Sequence, residues 1–125
     1  PRGRGELVLV VDDEPLVSEV TRKVLEKAGY RVIVAVDGAE AVALYRSHGR
    51  EIAVVLTDMR MPVLDGPAAI RELQRLDPRV RVIGASGLSG EGEVAEVASS
   101  GVRHFLAKPY TAETLLWTVR RALEE

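Results

Sequence analysis

Three aspartates, a serine and a lysine each stand just past an apolar run of this chain. Asp12 and Asp13 follow residues 7–11, Asp58 follows 52–56 and one threonine, Ser86 follows 80–85, and Lys108 follows 102–107. Carboxylates packed within a few ångströms repel one another, so some must take up protons or a cation must neutralise them. Mg²⁺ (or Mn²⁺) suits an all-oxygen set of this kind. Mg²⁺ takes one or two carboxylates, keeps several waters and completes its shell with a phosphate oxygen. A lysine ammonium supplies a point charge for a second phosphate oxygen, and a hydroxyl can donate a hydrogen bond to a third. The chemistry indicated is an acyl phosphate or a bound phosphate, not acid–base hydrolysis of a sugar or peptide.

These residues span positions 12 to 108, so the chain must bring them together. Apolar runs at 7–11, 32–36, 52–56, 80–85 and 102–107 alternate with amphipathic stretches. The first three are nearly continuous Val, Ile, Leu or Ala, the composition of strands covered on both faces. Arg81 lightens the entry to the fourth, and Arg103 and His104 mark the fifth as an edge strand. A first helix over 14–28 puts Val17, Val20, Val24 and Ala28 on one face, with Asp13 as its cap, Pro15 in its first turn and Gly29 at its end. A second covers 39–47, capped at Asp37-Gly38, with Ala41, Val42 and Leu44 facing the core and Gly49 as its stop. Asp65 caps a third, which carries Ile70, Leu73 and Leu76 and ends at Asp77-Pro78. A fourth, at 91–99, is weakened by Gly90 and Gly92, since an interior Gly costs ~1 kcal/mol relative to Ala. Thr111 caps a fifth, with Leu115, Val119 and Ala122 as its buried stripe. Strands alternating with helices through short connections predict a (βα)₅ chain: a parallel, doubly wound five-stranded sheet with helices on both faces. Such sheets bind ligands at the carboxyl ends of their strands, where the three aspartates, Ser86 and Lys108 would converge.

Taken singly, each residue has a plain reading. Asp13 could cap a helix, Asp58 could sit in a turn before Met61-Pro62, Ser86-Gly87 could be an ordinary turn, and Lys108 could be a surface lysine. Their joint appearance at four strand ends argues against all of these at once. The rest of the sequence offers no rival. The glycines at 84, 87, 90 and 92 lack the lysine of a phosphate loop. His48 and His104 have no partners at metal-ligand spacing, and Ser86 has no evident histidine base.

The 125 residues, 46% hydrophobic and 29% charged, fit one globular domain. A domain of this size buries roughly two-thirds of its unfolded surface and needs no staples; the chain has no cysteine, which fits a reducing compartment. Net charge is −2 with acids and bases interspersed, which argues against a nucleic-acid binder. No apolar run approaches the ~20 residues needed to span a bilayer. Residues 1–5 are read as a linker remnant and 6–125 as the domain. The start at Pro1 suggests an excised piece of a longer protein.

Val10-Val11-Asp12-Asp13-Glu14, Thr57-Asp58-Met59-Arg60-Met61-Pro62, Asp65-Gly66, Ala85-Ser86-Gly87 and Lys108-Pro109 together resemble the receiver domains of two-component response regulators. The resemblance covers essentially the whole chain. It implies a flavodoxin-like sheet of strand order 2-1-3-4-5 and a cytoplasmic phosphorelay module that catalyses its own phosphorylation and dephosphorylation without being a free-standing enzyme. It implies Asp58 as phosphoacceptor. Asp13, Asp58 and the backbone carbonyl of Arg60 would ligate Mg²⁺, with Asp12 acting largely through water. Lys108 would pair with the phosphoryl group, aimed by a cis bond before Pro109. Ser86 and Phe105 match the switch pair; the plainer reading of Phe105 is a core residue. The partner would be a histidine kinase or histidine phosphotransfer domain, with no nucleic acid or membrane bound by this domain. Leu16, off the core stripe and in line with Lys23 and Lys27, could insert between helices of a histidine-bearing bundle, or pack half-buried. Trp117 lies near the polar side of the last helix. Gly3-Arg4-Gly5-Glu6 resembles the linker into the carboxyl-terminal receiver of a hybrid histidine kinase. Two other classes fit the sequence less well. A receiver-like binding module that never takes phosphate would lack one of the strand-end residues. A hydrolase of the haloacid dehalogenase type would want an aspartate at position 60, which is Arg.

Overall fold

The computed structural model describes residues 2–59, 66–86 and 102–125. Strands β1 (Leu7–Val11), β2 (Arg31–Ala35), β3 (Ile52–Asp58), β4 (Val82–Ser86) and β5 (His104–Ala107) form one parallel sheet in the order β2-β1-β3-β4-β5. The described helices are α1 (Pro15–Lys27), α2 (Gly38–His48), α3 (Gly66–Leu76) and α4 (Ala112–Leu123), with a 3₁₀ turn at Gly49–Glu51. The chain leaves β1 toward one edge and returns past it to β3. The switch point of the winding therefore lies between β1 and β3. The expected cap at Asp65 and the helix at 91–99 lie outside the described residues.

Alternation along the strands builds two cores, because successive side chains point to opposite faces. Leu7, Leu9 and Val11 of β1 and Val55 of β3 join Ala41, Val42 and Tyr45 of α2 and Ile70 and Leu73 of α3. Val8 and Val10 of β1 and Val54 and Leu56 of β3 join Leu25 of α1 and Leu115, Val119 and Ala122 of α4. Leu9, Leu56, Leu73 and Leu115 are among the largest fully buried side chains. Emptying any one to Ala should cost about 2–5 kcal/mol.

Capping follows sequence logic in two helices. Asp37 accepts a hydrogen bond from the Glu40 amide at 2.8 Å, and Thr111 accepts one from Thr114 N at 3.1 Å. Gly29 ends α1 at φ 102°, where a Cβ would lie 2.6 Å from the Gly3 carbonyl oxygen. Only glycine fits both the left-handed backbone and that close approach.

Helix α1 departs from expectation. Its N-cap is Glu14 with no side-chain cap bond, so Asp13 does not cap it. Its buried positions are Ser18, Thr21 and Leu25, whereas Val20 is 63% exposed. The fully buried stripe is thus rotated by one position, while Val24 and Ala28 still pack half-buried against the core as expected. The buried hydroxyls are tolerable because both are bonded, Ser18 to the Pro15 carbonyl and Thr21 to Tyr110. Strand β2 is an edge strand and only half covered, in contrast to the covered strand expected at 32–36; Val36 lies beyond its end and is 52% exposed. Leu76 is likewise 40% exposed at the end of α3. Tyr45, which helical spacing alone did not single out, is buried and donates its hydroxyl to Asp77 at 2.8 Å.

Candidate functional site

The carboxyl ends of β1, β3, β4 and β5 supply the site. Strand β3 runs two residues past its apolar stretch, because Thr57 and Asp58 pair with Gly84 and Ala85 of β4. That extension holds the Asp58 backbone within the sheet. On the other side of the switch point, the Asp12 amide donates to Ala35 O at 3.0 Å, so Asp12 too is held at a strand end. Lys108 follows β5, its amide donating to the Ser86 carbonyl at 2.7 Å. The Lys108–Pro109 bond is cis.

The side chains converge as the strand-end pattern requires. Lys108 Nζ donates to Asp12 Oδ2 at 2.8 Å and to Asp58 Oδ2 at 3.3 Å. Asp12 Oδ1 accepts the Glu14 amide at 2.9 Å. Asp12 and Asp58 are buried and Asp13 is exposed, yet carboxylate oxygens of all three lie within 4.8 Å of one another. Burial works to lower the Lys108 pKa. The hydrogen bond to Asp12 and the charges of Asp58 and Asp12 outweigh it, so the ammonium sits above the ordinary lysine range. One lysine balances only part of three carboxylates. The remaining negative charge, the clustered oxygens and the open side at Asp13 fit a divalent cation.

Ser86 closes β4 and is buried, with its carbonyl accepting the Lys108 amide. Phe105 of β5 pairs with Gly84 of β4 and is 53% exposed, so it is not a plain core residue. Leu16 is 83% exposed, which removes the half-buried packing alternative. It lines a cleft with Val17, Val20, Thr21, Lys108, Pro109 and Tyr110. Arg60 lies outside the described residues, as does Gly87.

One pair in the site went unforeseen. The Tyr110 hydroxyl and Thr21 Oγ1 are 2.8 Å apart and tie the segment after Lys108 to α1. Burial raises the Tyr110 pKa, opposed by the Thr21 bond and by Lys108, so the phenol stays protonated at neutral pH. The signal was present in the spacing of Ser18, Thr21 and Leu25, but two hydroxyls do not read as a core stripe until a partner is known.

Among the described residues, no helix is long and apolar enough to cross a membrane. Residues 8–120 match the model of the response regulator receiver domain. The chemotaxis protein CheY of Bacillus subtilis is 30% identical over 93% of this chain and 96% of its own length. The sensor kinase CckA of Brucella abortus is 33% identical over 94% of this chain, which corresponds to 12% of that protein. Among solved structures, the CheX–CheY–BeF₃–Mg²⁺ complex from Borrelia burgdorferi is similar at a TM-score of 0.86 and 31% identity, covering 92% of this chain and 87% of the other. The strand order, an aspartate trio at its switch point with Lys108 bonded to Asp12 and Asp58, and these likenesses agree: the chain belongs to the response regulator receiver domain family, the CheY-like signalling modules of two-component systems.

Proposed function

We propose that Asp58 is the phosphoacceptor and that the phosphoryl group comes from a phosphohistidine on a histidine kinase or histidine phosphotransfer domain. The observation that carries this is the Lys108 ammonium bonded to both Asp12 and Asp58, with Asp13 alongside. An Asp58 carboxylate oxygen attacks phosphorus in line with the leaving imidazole nitrogen. The P–O bond forms as the P–N bond breaks, and the electron pair returns to the imidazole. Strand β3 fixes the direction of attack, since Asp58 is still within the ladder. Lys108 is held where it can turn from the carboxylates to an equatorial phosphoryl oxygen. Mg²⁺, held by Asp13, Asp58 and the Arg60 carbonyl with Asp12 nearby, would neutralise the remaining oxygen charge.

The new group carries roughly −1.5 to −2 charge at neutral pH. Ser86, closing the neighbouring strand, would donate its hydroxyl to the group, and Phe105 would change rotamer with it, a shift between two packings. Exposed Leu16, in its apolar cleft beside Lys108, would seat against the histidine-bearing helices. The similarity to a segment of a sensor kinase supports a kinase partner and leaves a hybrid kinase as one parent architecture. Residues 1–5 would then be linker and 6–125 the receiver.

Beryllofluoride with Mg²⁺ tests the reading. It should bind and shift the amide resonances of Asp58, Ser86, Phe105 and Lys108. No shift at saturating beryllofluoride would favour a binding module that never takes phosphate. A Leu16→Asp variant should take phosphate normally from a small-molecule donor but about tenfold more slowly from its kinase, and an unchanged kinase rate would remove the docking role.

A further inference from the structure

The opposite end of the sheet carries the reverse charge. Arg50, Arg79, Arg81 and Arg103 all stand just before β3, β4 or β5 and are all exposed. They border two adjoining clefts that share Pro78, Arg79, Val80 and Arg81. One cleft, of 640 Å³, is also lined by Tyr45, Arg50, Ile52 and Asp77. The other, of 480 Å³, is also lined by Val82, Val102, Arg103, His104 and Glu125.

The second cleft already holds an acidic residue. Arg81 donates through Nη2 at 2.8 Å and Nε at 3.3 Å to the Glu125 carbonyl oxygen. The Glu125 carboxylate lies 2.8 Å from His104 Nε2 and 3.6 Å from Arg103 Nη1. In the first cleft, Asp77 is engaged by the Tyr45 hydroxyl and the Arg79 amide. No ion pair of the Arg50 or Arg79 guanidinium is found among the described residues. A guanidinium fork matches a carboxylate, and half-buried Val80 and Val102 offer apolar wall between the arginines.

We propose that this amino-terminal rim is a second docking surface, separate from the phosphoacceptor end, for an acidic segment of a partner protein in which Asp or Glu alternates with apolar side chains. The Glu125 carboxylate, 3.6 Å from Arg103 Nη1, shows in one cleft the pairing that the partner's acids make in the other. The apolar wall favours a peptide over a bare polyphosphate, which has nothing to lay against it. The whole chain carries a net charge of −2, so attraction of an acid must come from this rim and not from the bulk charge.

The test is titration of the intact chain with a short capped peptide of alternating Glu and Leu, followed by the Nε–Hε resonances of the arginines. Shifts should concentrate on Arg50, Arg79 and Arg81, weaken with added salt, and need about tenfold more peptide in the Arg50→Ala/Arg79→Ala variant. Both residues are exposed and remote from Asp58, so that variant should fold and accept phosphate from a small-molecule donor as the parent does. Equal binding by the variant, shifts confined to Arg2 and Arg4, or binding of inorganic triphosphate but not of the peptide would each overturn the proposal.

Discussion

The two ends of the sheet handle charge in opposite ways. At the carboxyl ends, Asp12, Asp58 and Lys108 are largely withdrawn from water and joined by hydrogen bonds of 2.8 and 3.3 Å. At the amino ends, arginines stand in solvent and pair loosely or through backbone. Buried charges must be compensated and feel their neighbours strongly, whereas exposed pairs are screened and contribute little. The first arrangement can therefore drive chemistry, and the second can attract and release a partner. A parallel sheet makes the division possible, since every strand presents the same terminus to the same end.

Substitutions should separate the ends by size of effect. Lys108→Ala leaves two buried carboxylates without their cation, and breaking a buried pair in this way costs about 3 kcal/mol or more. Urea unfolding in a chelating buffer should show that loss, and added Mg²⁺ should recover part of it. A midpoint equal to that of the parent chain would mean the lysine is not structurally paired. Smaller is Tyr110→Phe, which leaves the buried Thr21 hydroxyl without its partner and should cost about 1–2 kcal/mol. The Thr21→Val/Tyr110→Phe double variant should regain some of this, and strict additivity would deny the coupling.

The amino-terminal rim should respond weakly and mainly to pH. The Arg79 amide, more than the opposing effect of burial, together with the Tyr45 hydroxyl and nearby Arg50 and Arg79, holds the Asp77 carboxyl below the usual aspartate range. Its folded pKa is thus lower than its unfolded value of about 3.9. The stability it contributes is complete above that value and is lost as pH falls through the folded one. Asp77→Asn should flatten that part of the acid unfolding curve, and an identical curve would place the acid sensitivity elsewhere. Smallest of all, Arg103→Ala should change stability by less than about 1 kcal/mol, because its pair with Glu125 is exposed and long.

The same contrast explains what could be read from sequence. Asp12, Asp58, Ser86 and Lys108 were legible because each stands at the end of an apolar run, and a parallel sheet turns that local fact into a shared location. The capped helices α2 and α4 were legible from Asp37 and Thr111 for local reasons as well. The buried face of α1 was not, because Thr21 is made acceptable by Tyr110, far along the chain. Nor was the arginine rim. Positions 50, 79, 81 and 103 are scattered among acids, and only the fold sorts them to one end.

On the proposed reading, Asp58 alone receives the phosphoryl group. The direct measurement is to expose the chain to acetyl phosphate and Mg²⁺, reduce the acyl phosphate with borohydride and map the product by mass spectrometry. The modification should fall on Asp58 alone and vanish in a folded Asp58→Asn variant. Undiminished modification of that variant, or modification at Asp12 or Asp13 in the parent chain, would contradict the account.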